Sequence, residues 1–80
     1  MAVKLVFLGK LADLAGAPES EVAGPLDWPG LLAALPDTLG AAVRGERVRA
    51  ALNGTVLADK TALAAADGDE VALLPPVSGG

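Results

Sequence analysis

The chain has 80 residues, 52% of them hydrophobic, and a net charge of −4 at pH 7, which together predict a single small acidic domain. Because it contains neither cysteine nor histidine, disulfides, cysteine-based metal sites and the commonest general base are excluded. The acidic balance argues against a broad nucleic-acid-binding surface, and no stretch reaches the roughly 18 apolar residues that a membrane span needs.

The first ten residues, MAVKLVFLGK, lack the layout of a signal peptide and predict a strand over Val3 to Leu8. Alternate residues of a strand point to opposite faces, so Leu8 lies on the face opposite Leu5 and Phe7. Apolar residues on both faces indicate a strand inside the sheet. Since the lack of cysteine fits a reducing compartment, we expect a cytoplasmic protein.

The next segments are a short helical turn and a second strand, which glycine and proline separate. Leu11 and Leu14 lie three residues apart and predict the helical turn over Lys10 to Leu14. The second strand is predicted over Glu19 to Ala23, where Gly24-Pro25 ends it.

Asp27 is predicted to begin the main helix, because its carboxylate can accept hydrogen bonds from the unpaired amides of the first turn. Pro29 is compatible with that turn, since those amides have no partner within the helix. The helix carries one apolar stripe at helical spacing and ends at Pro36. The stripe consists of Leu31, Leu32 and Leu35, and a further short turn is expected over Leu39 to Val43.

The second half of the chain predicts three more strands joined by tight turns. Asn53-Gly54 is a strong hairpin signal, and Asp67-Gly68-Asp69 is a second turn. Leu63 lies between the two turns and is expected to fill the core from a loop. The strands run over Val48 to Leu52, Thr55 to Leu57 and Glu70 to Leu74.

Runs of strands with one main helix predict an α+β fold. The order fits a β-grasp, or ubiquitin-like, roll, in which a mixed sheet has one main helix packed on one face. In that fold the first and last strands lie side by side, and here they are the two most apolar strands. The predicted core consists of Leu5, Phe7, Leu31, Leu32, Leu35, Leu63, Val71 and Leu73.

The first and last strands also place leucines on the face that the helix cannot cover. Val71 and Leu73 share one face of the last strand, so Leu74 points to the other, as Leu8 does on the first strand. If the two strands are neighbours, Leu8 and Leu74 form an exposed apolar patch, which usually marks an interface. The alternative is a loop that covers both leucines, since central strands are often buried on both faces.

Few residues offer catalytic chemistry. The chain lacks a cysteine–histidine pair, a GxGxxG motif and a Walker loop. We interpret the acidic run over Asp67 to Glu70 as turn chemistry, because it lacks the spacing of a calcium loop. Arg44, Arg47 and Arg49 could dock an acidic partner or a phosphate, although a solvated edge is the commoner explanation of such clusters.

The end of the chain, LLPPVSGG, combines stiff residues with unhindered ones. Pro75 and Pro76 have no amide hydrogen, so they end the last strand and favour an extended polyproline conformation. Gly79 and Gly80 have no Cβ and can thread a narrow channel. The reactive group at their end is the α-carboxylate of Gly80.

The segment DGDEVALLPPVSGG resembles the C-terminal signature of the MoaD family, the small sulfur-carrier subunits of molybdopterin synthase. The resemblance covers the whole chain: KLVFLGKLADLAG is similar to the family's first strand and helical turn, and ALNGT to its central strand and turn. ThiS-type carriers for thiazole synthesis share the fold and the Gly-Gly end, but usually not the PPVSGG run. Family members often have Arg where this chain has Ala12, so a partner contact through that side chain does not carry over.

The resemblance implies a sulfur carrier for molybdenum cofactor biosynthesis that is no enzyme on its own. An adenylating enzyme of the ubiquitin-activating type, MoeB in this family, would use ATP to activate the carboxylate of Gly80, and a sulfur donor would convert it into a thiocarboxylate. The large subunit, MoaE, would then receive the tail and pass the sulfur to the pyranopterin precursor. No metal or bound cofactor is expected on the chain itself.

The resemblance also implies a β-grasp domain over residues 1–75 and a flexible carrier tail over residues 76–80. Both partners would contact the Leu8 and Leu74 patch in turn, and the tail residues that thread into them are Pro75, Pro76, Val77, Ser78 and Gly79. Three alternatives remain open. They are a carrier for thiazole or cysteine synthesis, a protein modifier whose Gly80 forms an isopeptide with a lysine, and a ubiquitin-like binding module without a carrier role.

Overall fold

The computed structural model describes residues 2–76. None of the helices within this range has the length and apolar content that crossing a bilayer needs. The helices are α1 (Lys10–Ala15), α2 (Trp28–Ala34) and α3 (Asp37–Val43), with a 3-10 helix over Lys60–Ala62. The strands are β1 (Ala2–Phe7), β2 (Glu19–Ala23), β3 (Leu26–Asp27), β4 (Arg49–Leu52), β5 (Thr55–Val56), β6 (Ala64–Ala65) and β7 (Glu70–Leu74).

The main sheet has five strands in the order β2-β1-β7-β4-β5. The first and last strands, β1 and β7, are parallel neighbours, and the other pairs are antiparallel, so the sheet is mixed as predicted. Their register pairs Leu5 with Val71 and Phe7 with Leu73. All four side chains are buried, because paired residues of neighbouring strands point to the same face of a sheet.

The covered face of the sheet packs against the helices. Leu11 of α1, and Leu39 and Val43 of α3, join the core cluster, together with Leu31 of α2 and Leu35, which directly follows α2. The prediction that Leu32 is buried was wrong, because Leu32 is only partly buried at the flank of the core. Within α2, Leu32 is turned about 100° away from the buried Leu31. Leu35 reaches the core from the extended residue that caps the helix.

Pro36 divides the helical segment as the sequence predicted. The side-chain Oδ1 of Asp27 accepts a hydrogen bond of 2.8 Å from the amide of Gly30 and caps α2, which ends at Ala34. Pro36 then stands at the start of α3. The short turn expected over Leu39 to Val43 is part of α3, which is as long as α2. Leu39 and Val43 are four residues apart on this helix, and both are buried.

The turns also follow the sequence signals. Asn53 and Gly54 both have positive φ, at 50° and 87°, as the type I′ turn of a two-residue hairpin requires. Leu63 follows the 3-10 helix and is 3% exposed. The prediction that a loop residue fills the core is therefore confirmed.

Candidate functional site

The base of the C-terminal tail is held against the start of α1. The amide of Leu8 donates to the carbonyl of Leu73 over 3.2 Å, and Pro75, which lacks an amide hydrogen, ends the ladder. A Cβ on Gly9 would lie 3.0 Å from Cγ of Pro75, and Gly9 has a φ of +55°. Glycine at this position therefore lets the Pro75 ring pack closely against the chain. The predicted carrier residue Gly80 and the threading residues Val77, Ser78 and Gly79 lie outside the described residues.

Leu8 and Leu74 lie next to each other on the face of the sheet opposite the helices. Phe7 is paired with Leu73 in the parallel register of β1 and β7, so the following residues, Leu8 and Leu74, point to the other face. Leu8 is 41% exposed and Leu74 is partly buried. An apolar surface thus lies directly beside the base of the tail, and its role as a partner interface stays a prediction.

The open face of the sheet carries more apolar surface than the two leucines. Ala72 of β7 is paired with Val6 of β1 on one side and with Ala51 of β4 on the other, and Ala51 is paired with Val56 of β5. Val56 is 53% exposed. This row was not predicted from the sequence, although alternation through the Asn53-Gly54 hairpin could have placed Val56 on this face.

The structure separates the three arginines that the sequence placed in one cluster. All three are exposed. Arg49 is paired with Leu74 and lies on the open sheet face, whereas Arg47 lines a groove on the helix side. Arg44 caps the end of α3 and lines neither surface. The arginines therefore belong to different surfaces, which sequence spacing alone did not reveal.

Lys60 fixes the connection between α3 and β4. Its Nζ donates to the carbonyl of Val48 over 2.9 Å and to the carbonyl of Gly45, and it lies 5.8 Å from the centroid of the Trp28 ring. Burial and the nearby charge of Arg49 lower the pKa of Lys60, an effect that Glu46 partly offsets. The two hydrogen bonds hold the chain around residues 45–48 in one conformation.

The acidic run is used in turn formation. The carboxylate of Asp69 accepts hydrogen bonds from the amide of Ala66 at 2.9 Å and from Nδ2 of Asn53 at 3.1 Å. Oδ1 of Asn53 in turn accepts from the amide of Glu70 at 2.9 Å. Between residues 2 and 76, no group of three or more Asp and Glu residues is placed to hold a metal ion. These contacts agree with the interpretation of the run as a turn.

We expect Asp69→Asn to make the stability of the domain less dependent on pH in the acid range. The hydrogen bonds from Ala66 and then from Asn53 lower the pKa of Asp69 below its ordinary value of 3.8. The ionised carboxylate therefore contributes stability that is present above pH 3.8. This stability is lost as the pH falls through the lower pKa of the folded state. Urea unfolding midpoints measured from about pH 5 to about pH 2 would show a shallower decline for the variant than for the natural protein.

Asp67→Asn provides the matched control, because it removes a carboxylate of the same turn that accepts no hydrogen bond within the described part of the chain. Its midpoints should follow those of the natural protein. Equal slopes for Asp69→Asn and the natural protein would mean that the contacts of Asp69 do not contribute to acid stability.

Comparison with known proteins gives matches over nearly the whole chain. The family model described as the ThiS family matches residues 5–80. The molybdopterin synthase sulfur carrier subunit of Escherichia coli (strain K12) is 34% identical over 84 residues, which cover 98% of this chain and 99% of the relative.

Solved structures show the same fold. Subunits 1 and 2 of the molybdopterin-converting factor of Helicobacter pylori form a complex, of which one chain matches with 28% identity, complete coverage of both chains and a TM-score of 0.67. The small archaeal modifier protein 1 of Methanosarcina acetivorans matches with 25% identity, a TM-score of 0.77 and coverage of 99% of this chain and 96% of its own. These likenesses confirm the predicted α+β fold of the β-grasp type.

Proposed function

The chain belongs to the ThiS family, and from this premise we propose that it is the sulfur carrier of molybdopterin synthase. The observation that carries the proposal is the match, from end to end, to a relative named as the sulfur carrier subunit of that enzyme. The family match also extends through Gly80, so the Gly-Gly end lies within the part that the family shares. The chain is then a small subunit that delivers a group and leaves catalysis to its partners.

The proposed chemistry takes place at the α-carboxylate of Gly80. A carboxylate is a poor acyl donor, because an oxide is a bad leaving group. Attack of the carboxylate oxygen on the α-phosphorus of ATP, with loss of pyrophosphate, gives an acyl adenylate. Hydrosulfide released by a sulfur donor then attacks the carbonyl carbon and displaces AMP, which leaves a thiocarboxylate and a proton. Two such deliveries would build the dithiolene of the pterin product in the large subunit.

A mass measurement tests this proposal directly. The full chain is incubated with ATP, an adenylating enzyme of the MoeB type and a sulfur donor, and the intact mass is then recorded. We expect a mass gain equal to the exchange of one oxygen for sulfur, confined to the C-terminal peptide. An unchanged mass with an active adenylating enzyme would contradict a carrier function.

A protein-modifier function is the second candidate, because the structural relatives include small archaeal modifier proteins. In that case the activated carboxylate of Gly80 would form an isopeptide bond with a lysine amine. Mass spectrometry of tryptic peptides from cell extracts would detect lysines that carry the C-terminal peptide of this chain. Such conjugates would support the modifier function, whereas a thiocarboxylate without conjugates would favour the carrier alone.

The large subunit is proposed to dock on the Leu8 and Leu74 patch, and Leu74→Asp is expected to weaken this binding by about 2 kcal/mol or more. The patch adjoins the base of the tail, and an aspartate there would have to be desolvated when the partner covers it. The domain should stay folded, because Leu74 is only partly buried and lies opposite Arg49. Titration calorimetry with the purified large subunit measures the affinity.

Val56→Asp is the matched control for this prediction. Val56 lies on the same open face but on the edge strand β5, and it is 53% exposed. Val56→Asp should lower the affinity for the large subunit much less than Leu74→Asp does. An unchanged affinity of a correctly folded Leu74→Asp protein for the large subunit would show that the patch is not part of the interface.

A further inference from the structure

A groove lies on the helix side of the tail base. Three segments form it: the first turns of α1, the connection between α3 and β4, and the two prolines that follow β7. Its volume is about 920 Å³, which is in the range of sites that enclose several side chains or a small ligand. We name it the tail-base groove. Its lining includes Lys10, Leu14, Ala42, Arg47, Val48 and Pro75.

The lining of the tail-base groove is apolar with a positively charged rim. Leu14 is 44% exposed although it is a large apolar side chain, and it lies with Ala42 and Pro75 in the groove. Lys10 and Arg47 are exposed at the same site, where Glu46 is the one carboxylate among the lining residues that the structure describes. The groove is therefore positive in a chain whose net charge is −4.

Two of the six cations of the chain, Lys10 and Arg47, line this groove. Lys4 makes both ion pairs found within residues 2–76, with Glu19 and Glu70, and lies on the open sheet face. Lys10 and Arg47 have no carboxylate within ion-pair distance among the described residues. Lys60 holds the connection that carries Arg47 through its hydrogen bonds to the carbonyls of Gly45 and Val48.

The wall of the groove is preformed, which suits a binding site. The hydrogen bonds from Nζ of Lys60 to the carbonyls of Gly45 and Val48 fix the connection that carries Arg47. On the opposite wall, Pro75 packs against Gly9. A partner that binds here would order few additional groups, which lowers the entropic cost of association.

We propose that the tail-base groove is a second docking site, in which the large subunit places an acidic segment that carries an apolar side chain. The apolar side chain would cover Leu14 and Ala42, and carboxylates would pair with Lys10 and Arg47. A free phosphate would satisfy the cations but would leave Leu14 exposed, so a protein segment fits the lining better. The inference rests on the proposed function, because it takes the large subunit as the partner.

The groove and the Leu8 and Leu74 patch lie on opposite faces of the sheet, and both adjoin the base of the tail. The patch is on the open face of the sheet, and the groove is formed by α1 and α3, which pack on the covered face. A partner that contacts both surfaces would hold the base of the tail from two sides. These contacts would fix the direction in which the tail enters the partner, and transfer reactions depend strongly on such positioning.

Binding kinetics of the full chain with the purified large subunit test the inference. We expect Arg47→Glu and Leu14→Ser each to raise the dissociation rate constant about tenfold or more, because contacts inside an interface act mainly on dissociation. Both residues are exposed in the free protein, so the variants should fold, which circular dichroism would verify. Surface plasmon resonance at two salt concentrations measures both rate constants.

Arg44→Glu is the matched control. Arg44 lies three residues before Arg47 and does not line the groove. Its substitution by glutamate changes the net charge by the same amount as Arg47→Glu. It should lower the association rate constant through the electrostatic field but change dissociation by less than about threefold. The groove proposal is overturned if Arg44→Glu and Arg47→Glu lower the association rate constant equally, only at low salt, and leave dissociation unchanged. The effect would then be general electrostatic steering of the encounter.

Other occupants of the groove would be recognised by different results, each of which would overturn the proposal. Amide shifts of Leu14 and Arg47 on removal of residues 77–80 from the free protein would identify the chain's own tail as the occupant. A dimer that Arg47→Glu dissociates would identify a second copy, and amide shifts upon addition of inorganic phosphate would identify an anion site. Natural dissociation rates in both Arg47→Glu and Leu14→Ser would show that no partner uses the groove.

The result also separates this inference from the proposed function. If the natural chain forms a thiocarboxylate and binds the large subunit, but the groove variants bind equally well, only the groove proposal fails. If the natural chain forms no thiocarboxylate and does not bind the large subunit, both proposals fail.

Discussion

Deletion of Gly80 is expected to abolish sulfur transfer while the domain remains folded. The proposed chemistry occurs at the carboxylate of the last residue, and a shorter tail would hold that carboxylate about 3.5 Å away from its position in the partner. A displacement of about 1 Å can already cost about a hundredfold in rate. The core described for residues 2–76 extends only to Leu73, so removal of Gly80 leaves it intact. Formation of product from the pterin precursor by the reconstituted synthase measures the effect.

Two further variants make this experiment specific. One extra residue after Gly80 keeps every natural residue but moves the carboxylate, and it should abolish transfer as the deletion does. Ser78→Ala keeps the length and both terminal glycines, and it should retain most of the activity. Normal turnover by the deletion variant or by the extended variant would exclude the carboxylate of Gly80 as the carrier group.

Leu31→Ala is expected to destabilise the domain by about 2–5 kcal/mol, the usual cost of truncating a fully buried leucine. Leu31 is 0% exposed and lies in the core cluster with Leu5 and Leu73. A domain of this size has a total stability of about 3–5 kcal/mol. The substitution would therefore leave a large fraction of the chain unfolded at room temperature. Urea unfolding followed by circular dichroism measures the free energy of unfolding.

Leu32→Ala is the natural comparison, because it removes the same atoms from the next residue of the same helix. Leu32 is partly buried at the flank of the core, so the loss should be clearly smaller than that of Leu31→Ala. Equal losses for the two variants would mean that α2 is rotated relative to the sheet. A loss below about 0.5 kcal/mol for Leu31→Ala would place Leu31 at the surface.

Many features of this fold follow from signals that act over a few residues. Asp27 caps α2, Pro36 separates α2 from α3, and Asn53-Gly54 forms the hairpin turn, as the sequence predicted. Each of these effects depends on the conformation or hydrogen bonding of one turn, so neighbouring residues suffice to determine it. Strand alternation likewise placed Leu8 and Leu74 on the open face, because successive side chains must point to opposite sides. The chemistry of the Gly80 carboxylate could be proposed from the last residues alone, and its role stays a prediction.

Only the tertiary structure decided how distant segments combine. The helical spacing of Leu31, Leu32 and Leu35 defined an apolar stripe, but the position of α2 on the sheet determined that Leu32 lies at its flank. The three arginines lie within six residues of the sequence, yet the strand register sends Arg49 to the open face while Arg47 lines the groove. The tail-base groove itself joins segments from both ends and the middle of the chain. Such a surface depends on packing between elements, and local sequence signals carry no information about which elements will meet.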